Sequence, residues 1–102
     1  LVVGVVNGSP AEARAWRTAA KTSFPVVCDP EGTIIRSHKV SRSVATTLIT
    51  AQGTIAKAWP GYNVATLDEI SATVARVAGV PAKSVPTDGA PAKLTTGCAF
   101  KD

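Results

Sequence analysis

The opening run Leu1-Val2-Val3-Gly4-Val5-Val6 constrains the chain most, because it is β-branched, uncharged and without polar alternation. A segment of that kind reads as a strand buried on both faces, as in a parallel sheet. Asn7-Gly8 supplies a turn. Ser9-Pro10-Ala11-Glu12 then offers an N-cap hydroxyl, a proline at the first helical position and a glutamate placed to close a capping box. The helix that starts there has Ala13, Trp16 and Ala20 on its inward stripe, with Arg14, Arg17 and Lys21 toward water, and Thr22-Ser23 ends it.

Phe24-Pro25-Val26-Val27-Cys28 reads as a second short strand, closed by the turn residues Asp29-Pro30-Glu31-Gly32. The stretch Thr33 to Arg42 reads as a short helix with Ile34, Ile35 and Val40 inward and Arg36, His38, Lys39 and Arg42 solvated. Val44–Ala51 and Thr54–Ala58 flank Gln52-Gly53, which suits an antiparallel hairpin, so a mixed sheet is expected. Trp59–Asn63 reads as a loop. Thr66-Leu67-Asp68-Glu69 repeats the capping-box pattern, and Leu67, Ile70, Val74 and Val77 form the inward stripe of a last helix that Gly79 and Pro81 stop. From Gly79 the composition turns to Pro, Ala, Lys, Thr and Gly, which marks residues 80–102 as a linker or a docked tail.

Composition bounds the function. With 102 residues, 45% of them hydrophobic and 18% charged, the chain is one α/β-type domain with enough apolar residues for a core. No apolar run approaches the roughly 18 residues of a membrane span. The first residues lack a signal peptide's basic start and cleavage site, and with no methionine the chain reads as trimmed, its true start lying upstream. The net charge of +4 comes with only 5% aromatic residues and no long basic run, so nucleic acid is not an expected partner. Two cysteines, Cys28 and Cys98, permit one disulfide and cannot build a disulfide scaffold or an all-cysteine zinc site. No carboxylate pair, serine–histidine arrangement or glycine-rich phosphate loop is visible, and neither a cofactor nor a metal is expected.

The order strand, helix, strand, short helix, hairpin, helix carries two motifs. One is Phe24-Pro25-Val26-Val27-Cys28-Asp29-Pro30-Glu31-Gly32, and the other is Ala45-Thr46-Thr47-Leu48-Ile49-Thr50-Ala51-Gln52-Gly53-Thr54-Ile55. Together they resemble the thioredoxin-fold redoxins, namely the alkyl hydroperoxide reductase/thiol-specific antioxidant family and its thiol–disulfide oxidoreductase relatives. The resemblance covers roughly residues 1–79, and Gly61-Tyr62 also looks like the family. The tail Gly97-Cys98-Ala99-Phe100-Lys101 is similar to the ending of some peroxiredoxin-like proteins.

The resemblance implies an α/β, thioredoxin-like mixed sheet flanked by helices. It also implies thiol–disulfide or peroxide oxidoreductase chemistry, acting on a protein dithiol or disulfide or on a peroxide. Family members carry a central strand and an active-site helix ahead of the segment matching Leu1–Val6, with the reactive cysteine where the two meet. Residues 1–79 therefore resemble the C-terminal part of such a domain, lacking its first strand and active-site helix, and the chain alone is not expected to be competent. The slot beside Leu1–Val6 is expected to be filled by an N-terminal segment, by a second copy, or by direct pairing with Thr46–Ala51.

The resemblance puts Ala45 at the family's cis-proline position. A cis bond before a non-proline residue costs about 2.5–4 kcal/mol, so a trans bond is expected at Val44–Ala45. Thr50 stands where the family's hairpin has an aspartate. Redoxins work in cytoplasm and in exported compartments alike, and the exported bacterial, periplasmic branch is favoured here.

Cys28 reads as a small core residue or a resolving thiol, and Cys98 as a redox thiol, a metal ligand or the partner of Cys28. His38 with both cysteines would make a soft three-ligand set, although a solvated histidine is the plainer reading. Trp16 is expected in the core and Trp59 under the Gly61-Tyr62 loop. The rival to a redox enzyme is a non-catalytic thioredoxin-fold interaction module, in which the loops Ser41–Ala45 and Trp59–Asn63 and the tail contact a partner.

Overall fold

The computed structural model describes residues 1–100 of the chain. Two compact units are present: Leu1–Ser41 joined by the last residues from Ala99 on, and Arg42–Cys98. Lys101, the last residue of the tail motif, lies outside the described residues.

The first unit contains β1 (Gly4–Val6), α1 (Pro10–Ala20), β2 (Val26–Cys28) and α2 (Thr33–Ser37). β1 and β2 are parallel, with Gly4 opposite Val26 and Val6 opposite Cys28. The Gly4 N–H donates to the Pro25 carbonyl at 2.9 Å and the Asp29 N–H to the Val6 carbonyl at 2.7 Å. One face of this pair is covered. A side chain at Gly4 would meet Phe24 and Trp16, and Val26 and Cys28 line a cleft with α1 residues, whereas Val5 and Val27, which alternate to the other side, are exposed. The opening run is thus not the doubly buried strand expected of it: only Gly4–Val6 is strand, and Val2, Val3 and Val5 are exposed. α1 covers the face toward which Gly4, Val26 and Cys28 turn.

α1 begins as its sequence dictates. The Ser9 hydroxyl accepts the Glu12 N–H at 3.2 Å, the Glu12 carboxylate accepts the Ser9 N–H at 3.1 Å, and Pro10 opens the first turn. Ser9, through its backbone N–H first and its side chain second, holds the Glu12 carboxyl below the usual carboxylate range. Ser9→Ala should lower stability by about 1 kcal/mol, read as a shift of the urea midpoint without a change of slope. The inward stripe differs from expectation: Ala13 is buried, but Trp16 is 43% exposed and Ala20 is exposed. The cause is length. An 11-residue helix is about 16 Å long, while strands of three residues span only about 10 Å, so the helix overhangs its support.

Asp29, read from sequence as a turn residue, organises the next segment. It is 4% exposed, and its carboxylate accepts the backbone N–H groups of Ile34 at 3.2 Å and Ile35 at 2.9 Å, the free donors of α2's first turn. Its carbonyl accepts the Gly32 N–H and the Asn7 side-chain amide. Gly32 sits in the left-handed region at φ 72°. α2 ends at Ser37 rather than continuing toward Arg42, because His38 closes it and Lys39 takes a left-handed conformation at φ 57°.

The second unit contains the antiparallel hairpin of β3 (Ala45–Ile49) and β4 (Ile55–Pro60), followed by α3 (Val64–Ala78). Thr46 faces Trp59, Leu48 faces Lys57, and an irregularity follows Leu48. The turn is closed by the Thr50 N–H donating to Thr54 and the Gly53 N–H to Thr50, with Gly53 at φ 85°. Trp59 and Pro60, expected in a loop, belong to β4.

The cap of α3 lies three residues before Thr66, the start of the expected box at Thr66–Glu69. Asn63 is the cap: its side chain accepts the Thr66 N–H at 2.8 Å, and the Thr66 hydroxyl accepts the Asn63 N–H at 2.7 Å. Gly79 ends the helix in the left-handed region, as expected. The buried positions are Thr73 and Ala75, with Leu67 and Ile70 half-buried; Val74 and Val77 are exposed, Val77 at 65%.

The fold is therefore mixed α/β, with three helices and two two-stranded sheets among the described residues. In place of the single mixed sheet expected, the described residues form two sheets, β1 with β2 and β3 with β4. No described helix is long and apolar enough to cross a membrane.

Candidate functional site

The open end of the β3–β4 hairpin gathers the loop residues singled out in the sequence. The Gly61 N–H donates to the Val44 carbonyl at 2.7 Å, closing the last rung of the hairpin. Beyond it, Ser43 and Tyr62 turn their backbone groups to the tail. Tyr62 exchanges both of its groups with Thr95, at 2.9 and 3.0 Å, and Ser43 donates to the Cys98 carbonyl at 3.1 Å while accepting the Gly97 N–H. Arg42 clamps the same stretch, its Nε donating to the Thr96 hydroxyl at 3.1 Å and its Nη2 to the Gly97 carbonyl at 2.8 Å.

Upstream, the Val64 N–H donates to Pro91, the Asn63 amide to Ala92 and the Ser71 hydroxyl to Lys83. These bonds tie Lys83, Pro91 and Ala92 to α3 and its cap. Glycine is required at Gly61 twice over: φ is 74°, and a Cβ there would stand 2.7 Å from the Thr95 carbonyl oxygen.

The residues named from sequence fall as follows. Cys98 lies in the tail, exposed and free, with its backbone held by Ser43. Ala45 is the first residue of β3 and pairs with Pro60. The bond Val44–Ala45 is trans, while the bond one residue earlier, Ser43–Val44, is cis. Cys28 closes β2 in the first unit, half-buried and free, and lines an open cleft of about 170 Å³ with Pro10, Ala13, Arg14, Arg17 and Val26. Neither thiol stands at a helix N-terminus, where the helix dipole would favour a thiolate. His38 bonds the Ile34 carbonyl through Nδ1 at 2.9 Å, and no three His, Cys, Asp or Glu side chains cluster as metal ligands among the described residues.

A second cluster was not read from sequence. On β4 and α3 the Lys57 ammonium is bonded to the Glu69 carboxylate and lies 5.4 Å from the centre of the Trp59 ring. The hydrogen bond from Lys57 holds the Glu69 carboxyl below the usual carboxylate range, while the Trp59 indole N–H is buried without a hydrogen-bond partner. Glu69 takes this part instead of closing a box with Thr66.

A depressed carboxyl stabilises the fold above its unfolded titration range, and that contribution is lost as pH falls through the lowered folded value. The urea midpoint of the wild type should therefore fall on acidification, and Lys57→Ala should show a smaller fall. Both side chains are near half-exposed, so the difference is small.

The hairpin end can thus recognise an extended backbone and present a thiol beside it. No group of three His, Cys, Asp or Glu side chains able to hold a metal stands there among the described residues. Compared with family models, curated proteins and solved structures, the chain matches none.

Proposed function

We propose that the chain is part of a thioredoxin-like redoxin engaged in thiol–disulfide or peroxide chemistry, with the attacking thiol supplied from outside these residues. The observation that supports it is the order of elements: a parallel strand–helix–strand unit, a short helix, an antiparallel hairpin and a last helix. In the thioredoxin-like arrangement a central strand joins two such pairs, supplied by another segment or a second copy. The bare valines of β1 and β2 leave room for added cover.

In this reading a thiolate attacks a peroxide oxygen, the O–O bond breaks, and water or an alcohol leaves a sulfenic acid. A second thiol then displaces water to form a disulfide. With a disulfide substrate, attack gives a mixed disulfide that a second thiol resolves. Cys28 and Cys98 are the candidate resolving thiols. Insulin reduction and peroxide consumption by the intact protein test the proposal. Turnover abolished by alkylation and altered by Cys28→Ser or Cys98→Ser supports it, and no cysteine-dependent turnover overturns it.

One observation favours a second reading, a non-catalytic interaction module. The loops Ser41–Ala45 and Trp59–Asn63, named as partner-contacting, supply the backbone groups of Ser43 and Tyr62 that already hold an extended segment. Cysteine-dependent turnover in the same assays would count against this reading.

A further inference from the structure

We infer that the open end of the β3–β4 hairpin is a docking site for an extended, acidic peptide of a partner protein, and that the tail segment Thr95–Cys98 occupies it as a built-in competitor. This rests on the interaction-module reading. The contact is made almost wholly by backbone: both groups of Tyr62 and both of Ser43 are taken by Thr95, Gly97 and Cys98. Any extended peptide offers the same donors and acceptors. The tail's own side chains add little, since Leu94, Thr95, Thr96 and Cys98 are all exposed. A segment held without side-chain burial can be exchanged for another.

Two features say what else would fit. A Cβ at Gly97 would run into the Ser43 hydroxyl, so the occupant needs glycine there. Arg42 spends its guanidinium on two neutral acceptors, the Thr96 hydroxyl and the Gly97 carbonyl. A carboxylate at the Thr96 position would accept the same N–H donors as a charge-assisted pair, which is shorter and stronger. The favoured partner therefore carries Asp or Glu followed by glycine in an extended stretch. The tail, joined to the hairpin through α3, competes at the high local concentration of a tethered ligand.

The test uses the full chain carrying Thr95→Pro and Gly97→Pro, which remove the tail N–H groups donated to Tyr62 and Ser43. A labelled synthetic peptide of residues 93–100 is titrated into it, with Cys98→Ser to prevent mixed disulfides and with or without Thr96→Glu. The released chain should bind the peptide about tenfold or more tightly than the wild type, because the tethered competitor is gone. Thr96→Glu in the peptide should tighten binding further, and Arg42→Ala in the protein should erase that gain.

No binding to the released chain, equal binding to both chains, or no gain from Thr96→Glu would overturn the inference. Amide exchange of β3 and β4 reports whether the hairpin is intact. If the double proline variant does not fold, Thr96→Ala with Gly97→Ala takes its place and is judged by the same outcomes. Redox turnover is a separate readout: turnover sinks the module reading, whereas absent peptide binding without turnover sinks only the docking site.

Discussion

Trp59→Ala is expected to cost about 3–5 kcal/mol, the range for deleting a large buried aromatic ring. Trp59 is 5% exposed and is the one large aromatic among the buried hydrophobic residues. Its ring also carries the Lys57 ammonium at 5.4 Å. Trp59→Phe should cost far less, because the indole N–H that it removes is buried without a hydrogen-bond partner, and losing an unsatisfied polar group offsets part of the lost volume. Urea unfolding of the three proteins, followed by far-ultraviolet circular dichroism, checks the order wild type, Trp59→Phe, Trp59→Ala. Equal losses for both variants would mean that ring volume is not what holds this position.

Asp29→Ala should cost about 2–4 kcal/mol, the sum expected when one buried and one part-buried N–H donor lose a carboxylate acceptor. The donors are those of Ile34 and Ile35, at 3.2 and 2.9 Å. Asp29→Asn keeps one carbonyl oxygen and should recover part of the loss. Because Asp29 and Trp59 lie in different units, hydrogen exchange can separate their effects. Asp29→Ala should speed exchange first at Ile34 and Ile35. Protection that falls uniformly along the chain would show that α2 has no local stability of its own.

Local interactions were legible in the sequence, and supported faces were not. The Ser9 box, the Gly53 turn and the Gly79 stop each join residues within a few positions, so the side chains that make them are adjacent on the page. α3 shows the limit of that logic, since Asn63 and Thr66 are both good caps and the earlier one wins by enlisting the later. Helix stripes failed for a different reason. Counting Trp16, Ala20, Val74 and Val77 as inward assumes a layer for them to rest on, and β1 and β2 are too short to carry the full length of α1. Asp29 had a local signal, a carboxylate a few residues before an apolar pair, but turn chemistry accounted for it first.

The site was legible only in its parts. Cys98, Ser41–Ala45 and Trp59–Asn63 could be named, but their contact is carried by N–H and C=O groups, which every non-proline residue has. Nothing in residue type records such a pairing. Arg42 illustrates this well: as one of several basic residues it reads as solvated surface, and its side chain is in fact exposed while holding the tail.

The valine-rich β1 edge has a colloidal consequence. Natural sheets guard their rims with lysine, proline or a bulge, and Gly4–Val6 has none of these, so a neighbouring molecule can zip onto it. Electrostatic repulsion between like-charged molecules is the remaining safeguard, and it vanishes near the isoelectric point of about 9.4. Concentrated solutions should cloud first in that alkaline range, and again wherever added salt shortens the reach of the positive surface charge.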